Sequence, residues 1–273
     1  MADQTLRYRL GSGLGGDTVE DGIVWGAQHG FHFTDFKADY GPDALAAWPE
    51  ERVRRFRQLC EQHDMHVGLH TLSAVNVAEF SPHVSEGVDA YLNAYTDLAH
   101  RLGAMHVIVH AGLHQSAEVD MREKASLERL QRATAYAETQ GVTLLLENLN
   151  FEPDDAEVHY MGMSAPELQR YFGAIQSPNL KWGFSANHAH LLPGDFDSFI
   201  DALGVDRIGL VLIADCRGAI EEHLPPGQGT LDFGRLFRRL EGDGYRGPYS
   251  MTFGNRAEKL AAREYLLEKA GIA

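Results

Sequence analysis

The sequence predicts an α/β protein folded as a single (β/α)8 barrel over residues 1–273. Three observations carry that expectation. Short apolar runs recur eight times, each of about strand length. Amphipathic helical patterns fill the intervals between them. The chain, at 273 residues, suits one barrel and can bury a large core, so no disulfide or structural metal is needed for stability.

In chain order the runs are YRLGSGL, FHFTDF, HVGLHTL, HVIVHAG, TLLLENLN, LKWGFSA, IGLVLIAD and PYSMTFGN. Most lack strict polar–apolar alternation, as expected of parallel strands covered on both faces. Between the third and fourth, Val88, Leu92, Tyr95, Leu98 and Leu102 share one helix face, and Gly103 marks the stop. Between the fourth and fifth, Leu127, Leu130, Ala133 and Ala137 do the same, ended by Gly141. Ser164 and Glu167 have the spacing of a capping box. Asp232 is placed to cap a helix that Gly242 stops, and the last helix is expected from about Ala257 to Lys269. An open doubly wound sheet is the rival. GSGLGGD, at Gly11–Asp17, resembles its phosphate turn, but no acidic residue closes a second strand at the distance the dinucleotide fingerprint requires.

Composition narrows the partners. With 24 basic and 39 acidic residues the formal charge is −15, which disfavours nucleic acid and anionic membrane surfaces. The basic clusters ERVRRFR and GRLFRRL fall on helical patterns and read as solvated faces. Cys60 and Cys216 stand in no metal or redox spacing, the N-terminal MADQTLRYRL has no apolar signal core, and no apolar run reaches membrane length. A cytoplasmic, soluble protein is the expectation.

In a barrel of this kind chemistry is built where strands end at the C-terminal face. The third strand ends in His70 and the fourth in His110. The fifth ends in Glu147, with Asn148 and Asn150. The sixth ends near Ser185, Asn187 and His188, with His190 beyond. The seventh ends in Asp215, followed by Arg217 and a loop carrying Glu222 and His223; the eighth ends near Thr252 and Asn255. Imidazoles and a carboxylate together can hold Zn²⁺ or Mn²⁺, or move protons near neutral pH. Glu147 is the sharpest candidate, because a carboxylate closing a buried strand is costly without a partner. Glu147, His188 and His110 are therefore the expected catalytic groups. A metal-held site and a metal-free site are both open on these residues. His70, Asn148, Asn150, Asn187, Asp215, Arg217 and His223 are expected to bind substrate. The acidic runs EPDDAE and EE read as solvated loop, the Met pair of YMGM as packing over the barrel mouth, and Trp182 as core.

These stretches, with AHRLGAMHVIVHAG, GVTLLLENLN, WGFSANHAHL and EEHLPPGQGTLDFGRLFRRLEGDGYRGPYSM, resemble the sugar phosphate isomerase/epimerase family, the xylose isomerase-like TIM barrels. The resemblance runs over nearly the whole chain. It implies a small sugar-like substrate, a homodimer, and one divalent metal held by a Glu after strand five, an Asp after strand six, a His on strand seven and a Glu on strand eight. The two Glu residues would also act as acid and base. Glu147 matches the first ligand, but the other three positions read Ser185, Leu212 and Thr252. Serine, leucine and threonine cannot replace carboxylate and imidazole as tight ligands. The implied function is isomerisation, epimerisation or elimination beside a carbonyl at a relocated or altered site; because the family's endonuclease branch places metal ligands at similar strand-three and strand-four histidines, the resemblance implies His70, His110, Glu147 and His188 as candidate ligands, with a metal-free site as the other reading. A non-catalytic sugar-binding scaffold and a repair enzyme of the family's abasic-site endonuclease branch are the alternatives.

Overall fold

The apolar runs become eight parallel strands in a computed structural model, which describes residues 5–271. They are β1 (Leu10–Ser12), β2 (Phe33–Phe36), β3 (His66–His70), β4 (Val107–Val109), β5 (Leu144–Glu147), β6 (Leu180–Ser185), β7 (Ile208–Ile213) and β8 (Tyr249–Met251). Each pairs in parallel with the next from β2 to β8, and β8 pairs with β1. Between β1 and β2 a close approach completes the barrel: a Cβ on Gly11 would lie 2.4 Å from the Phe33 ring, so only glycine fits there. Residues 1–4, in the polar N-terminal stretch, and 272–273 lie outside the described residues.

Eight helices follow the strands: α1 (Val19–Gln28), α2 (Glu50–Gln62), α3 (Pro82–Leu102), α4 (Val119–Gln140), α5 (Ala165–Ala174), α6 (Asp195–Leu203), α7 (Phe233–Gly242) and α8 (Arg256–Lys269). The α3 face drawn from the sequence is buried at all five positions. Gly103 and Gly141 end α3 and α4 in the left-handed conformation, with φ of 69° and 66°. Asp232 caps α7 by accepting from the Arg235 N–H at 2.9 Å. The expected capping box at Ser164 does not form. Its hydroxyl donates to Glu167 at 2.9 Å, and the second carboxylate oxygen takes the Gly162 N–H instead. Complete boxes stand at Thr18–Asp21 and Asn255–Glu258. None of the described helices is long and apolar enough to cross a membrane.

Two cores result. A large one fills the space between helices and sheet and holds Trp182. A smaller one, Phe33, Ile108, Leu145, Leu210 and Leu212, fills the barrel interior. Because side chains alternate along a strand, the residue two positions beyond an interior one points inward again. Phe33, Ile108 and Leu145 are thus followed at the mouth by Asp35, His110 and Glu147.

His106, on the same face and one step deeper, is buried against Gly68, and its Nε2 has no partner. Burial, then the nearby His70, pulls its pKa from 6.5 to about 3. Between those values the unfolded chain binds a proton that the folded chain refuses, so stability falls as pH falls through this window, by up to about 1.4 kcal/mol per pH unit from this group. Denaturant unfolding of His106→Leu should show a shallower loss of stability between pH 6.5 and 4 than wild type. An unchanged slope would remove His106 from the acid response.

Candidate active site at the C-terminal mouth

Glu147 closes β5 and is 4% exposed. Its Oε2 lies 3.3 Å from His70 Nε2 and 3.2 Å from His110 Nε2, and the two imidazole nitrogens are 3.2 Å apart. The tautomer of His110 follows from its other side. The Thr71 hydroxyl donates to the Ile108 carbonyl at 2.9 Å, so its oxygen accepts from His110 Nδ1–H at 3.3 Å. In the neutral ring Nε2 then carries the lone pair. It faces a carboxylate and a second imidazole, an arrangement that calls for a shared proton or a cation among the three atoms. Burial pushes the Glu147 carboxyl up, but the His110 and His70 imidazoles outweigh it and hold the group well below the usual carboxylate range. Burial lowers His110.

A second cluster faces the other oxygen. His188, in the short helix Ala186–Ala189 after β6, has Nδ1 3.6 Å from Glu147 Oε1 and donates from it to the Asn148 carbonyl at 2.8 Å. His223 Nδ1 donates to the Thr252 carbonyl at 2.7 Å. A carbonyl only accepts, so both rings turn Nε2 toward Glu221, at 3.8 Å from His188 and 2.6 Å from His223. Hydrogen bonding to these two imidazoles holds Glu221 far below its ordinary value, and Glu221 in turn raises His223.

Each cluster offers two imidazoles and a carboxylate, with ligand atoms within 4.8 Å of one another. That donor set suits Zn²⁺ or Mn²⁺, and in the second cluster the carbonyls that fix the ring nitrogens are the usual outer support of such ligands. The positions where the resemblance places the family's other ligands do not contribute. The Ser185 hydroxyl donates to Asn187 Oδ1, Leu212 lies in the barrel's apolar core, and the Thr252 hydroxyl donates to the Ile213 carbonyl.

The mouth therefore gathers His70, His110, Glu147, His188 and His223. Five other expected substrate contacts are hydrogen-bonded to protein groups. Asn148 is fully buried. It donates to the Ser185 carbonyl and accepts from Trp182 Nε1 and the Ser185 N–H, tying β5 to β6. Asn150 donates to Glu152, and Asn187 to the Glu222 carbonyl. Asp215 accepts the backbone N–H groups of Cys216, Gly227, Gly229 and Leu231, and so shapes the loop that carries Glu221 and His223. The Arg217 guanidinium faces solvent, paired with Glu222. His190 bridges Asp195 and Thr230. Glu221 is the correction in the other direction: the EE pair reads as solvated loop, yet its first member meets two histidines. The spacing Glu221-x-His223 was the available signal, and only folding brings it to His188.

Solved structures of other proteins share this barrel. A D-tagatose 3-epimerase-like protein superposes with a TM-score of 0.85 over 96% of this chain and 97% of that one, at 22% identity. The D-psicose 3-epimerase of Clostridium cellulolyticum H10, solved with D-tagatose, gives 0.77 over 95% of each chain at 15% identity. A probable endonuclease 4 of Staphylococcus saprophyticus is 24% identical over 185 residues, 64% of this chain and 60% of that protein. The sequence model of the xylose isomerase-like TIM barrel matches residues 23–269, and the chain belongs to that family.

Proposed function

We propose that this protein is an isomerase or epimerase of a small keto-sugar or related polyol derivative, acting by acid–base chemistry in the barrel mouth at a cation site moved from the family's usual position. The observation that carries the reading is Glu147: a buried carboxylate held deprotonated, with one oxygen against His70 and His110 and the other turned toward His188. His70, His110 and Glu147 are the residues that would hold a first divalent ion, and His188, Glu221 and His223 a second. Such an ion, when bound, supplies polarisation of a carbonyl oxygen.

The chain's own groups account for the rest. Glu147 Oε1 takes a proton from the carbon beside the substrate carbonyl. His188 lies 3.6 Å from that oxygen, its ring fixed by the Asn148 carbonyl. The segment carrying Glu221 and His223 brings both side chains to the same side of the mouth as His188. The superposition on epimerases supports this reaction class.

The likeness to the probable endonuclease 4 favours a second reading, hydrolysis at abasic sites. A formal charge of −15 opposes it, since binding to duplex nucleic acid draws on neutralising its phosphates. No cleavage of an abasic-site duplex is expected with added Zn²⁺; strand scission abolished by Glu147→Ala would replace the epimerase reading.

Elemental mass spectrometry after incubation with Zn²⁺ or Mn²⁺ should find bound metal in wild type. Glu147→Ala should bind it at least ~10-fold more weakly, the scale of losing a ligand or its support. Absence of metal from wild type would leave metal-free acid–base chemistry. With D-tagatose and D-psicose as substrates, Glu147→Gln should lower turnover by at least ~100-fold, the low end for a proton-transfer group. A ligand bound tightly by wild type and never turned over would instead assign a binding scaffold.

A further inference from the structure

Glu147 is one carboxylate of a pair that proton transfer to both faces of a carbon requires. The strand-eight position where the family resemblance places the other is Thr252. A second inward carboxylate nevertheless stands at the mouth. Asp35 follows Phe33 of the interior core by two residues on β2, so it points into the barrel. It is 8% exposed.

Its two oxygens differ. Oδ2 accepts from the Ser250 hydroxyl on β8. Ser250 lies two residues before Thr252 and shares its inward direction, so the carboxylate of Asp35 sits beneath the place where the family's Glu would be. Oδ1 has no hydrogen-bond partner, and it is not among the sealed, unpartnered atoms of the described residues; it therefore reaches open space. Gly13 faces it: a Cβ there would lie 3.5 Å from Oδ1, and the missing side chain leaves that oxygen uncovered. The neighbouring Lys259 donates to the Gly13 carbonyl at 2.5 Å and holds this edge in place.

We propose that Asp35 is the second proton-transfer carboxylate of the site, working from the β2 side of the mouth while Glu147 works from the β5 side. In a barrel of eight strands these positions lie three strands apart and nearly opposite one another. The inference rests on the epimerase reading above. Burial raises the Asp35 carboxyl from its ordinary value. Glu147 removes the proton from the carbon beside the ketone. The C–H pair becomes the C=C of an enediolate, and the carbonyl π pair moves to its oxygen. Asp35 then delivers its own proton to the opposite face, the enediolate collapses to the ketone, and Asp35 is left as carboxylate. Glu147 returns its proton to solvent and Asp35 regains one. Nothing is oxidised or reduced.

The test is incubation of wild type, Asp35→Asn, Ser250→Ala and Glu147→Gln with D-tagatose or D-psicose in D₂O. Deuterium at C3 is read by mass spectrometry, and the C3 epimer by chromatography. Wild type should form deuterated epimer. Asp35→Asn should form it at least ~100-fold more slowly yet still wash deuterium into unreacted substrate, because Glu147 still opens its own face. Glu147→Gln, in the direction started from that face, should lose both. Ser250→Ala keeps the carboxylate and removes only its support, so it should slow epimer formation less than Asp35→Asn does. Thermal melts identify any variant that fails to fold, and Ser250→Ala then carries the test: an unchanged ratio of epimer to wash-in would overturn the assignment. Epimer formed by folded Asp35→Asn at the wild-type rate would overturn it, as would equal loss of exchange and epimer with both sugars, whose C3 hydrogens lie on opposite faces. Wild type that neither exchanges nor epimerises either sugar would overturn the epimerase reading, and the Asp35 assignment with it.

Discussion

The burial of the Glu147 charge is the constraint on which the mouth depends. A carboxylate at the end of an apolar strand loses its hydration, and that loss has to be offset by cations or donors close by. Here β3 and β4 end in His70 and His110, and β6 runs into a helical turn that carries His188. Three neighbouring elements thus converge on one side chain. The polar groups behind them are committed in turn: Thr71 fixes His110, the Asn148 carbonyl fixes His188, and Asn148 is itself fixed by Trp182 and Ser185. Removing Glu147 would leave imidazoles facing one another with nothing between them.

The same logic holds at the three positions where the resemblance places the family's other ligands. Ser185, Leu212 and Thr252 are each satisfied where they stand, by an amide, by apolar neighbours and by a backbone carbonyl. None is left as a buried polar group without a partner. Ligand-capable chemistry persists in the two flanking clusters, one on strand ends and one split between His188 and the segment after β7.

The barrel and the first cluster were legible in the sequence because both depend on local rules. Strand spacing, helix periodicity and glycine stops set the eight units. Residues closing β3, β4 and β5 at the same end of neighbouring parallel strands have to meet. The rest depended on partners far along the chain. A polar residue at a strand end can face the cavity or the backbone with equal local propensity, so Asn148 and Asp215 read as substrate contacts while their groups are used inside the protein. Glu221 sits in an acidic pair that resembles any solvated turn until His188, 33 positions earlier, is brought against it. Asp35 is one acid inside an apolar run. Its partner Ser250 lies 215 residues away, and only barrel closure brings the two together.

Closure also bears on the second cluster. His188 rides on the end of a rigid strand, whereas Glu221 and His223 ride on a connecting segment. In a loose segment, gathering these ligands would cost conformational entropy each time something bound. Asp215 removes much of that cost in advance. Its carboxylate holds four backbone N–H groups along the segment, and its own backbone pairs with Leu224, one residue beyond His223. The segment is thereby a preformed clasp rather than a flap. Glu221 and His223 are thus held in place by a carboxylate that lies outside the cluster they form with His188.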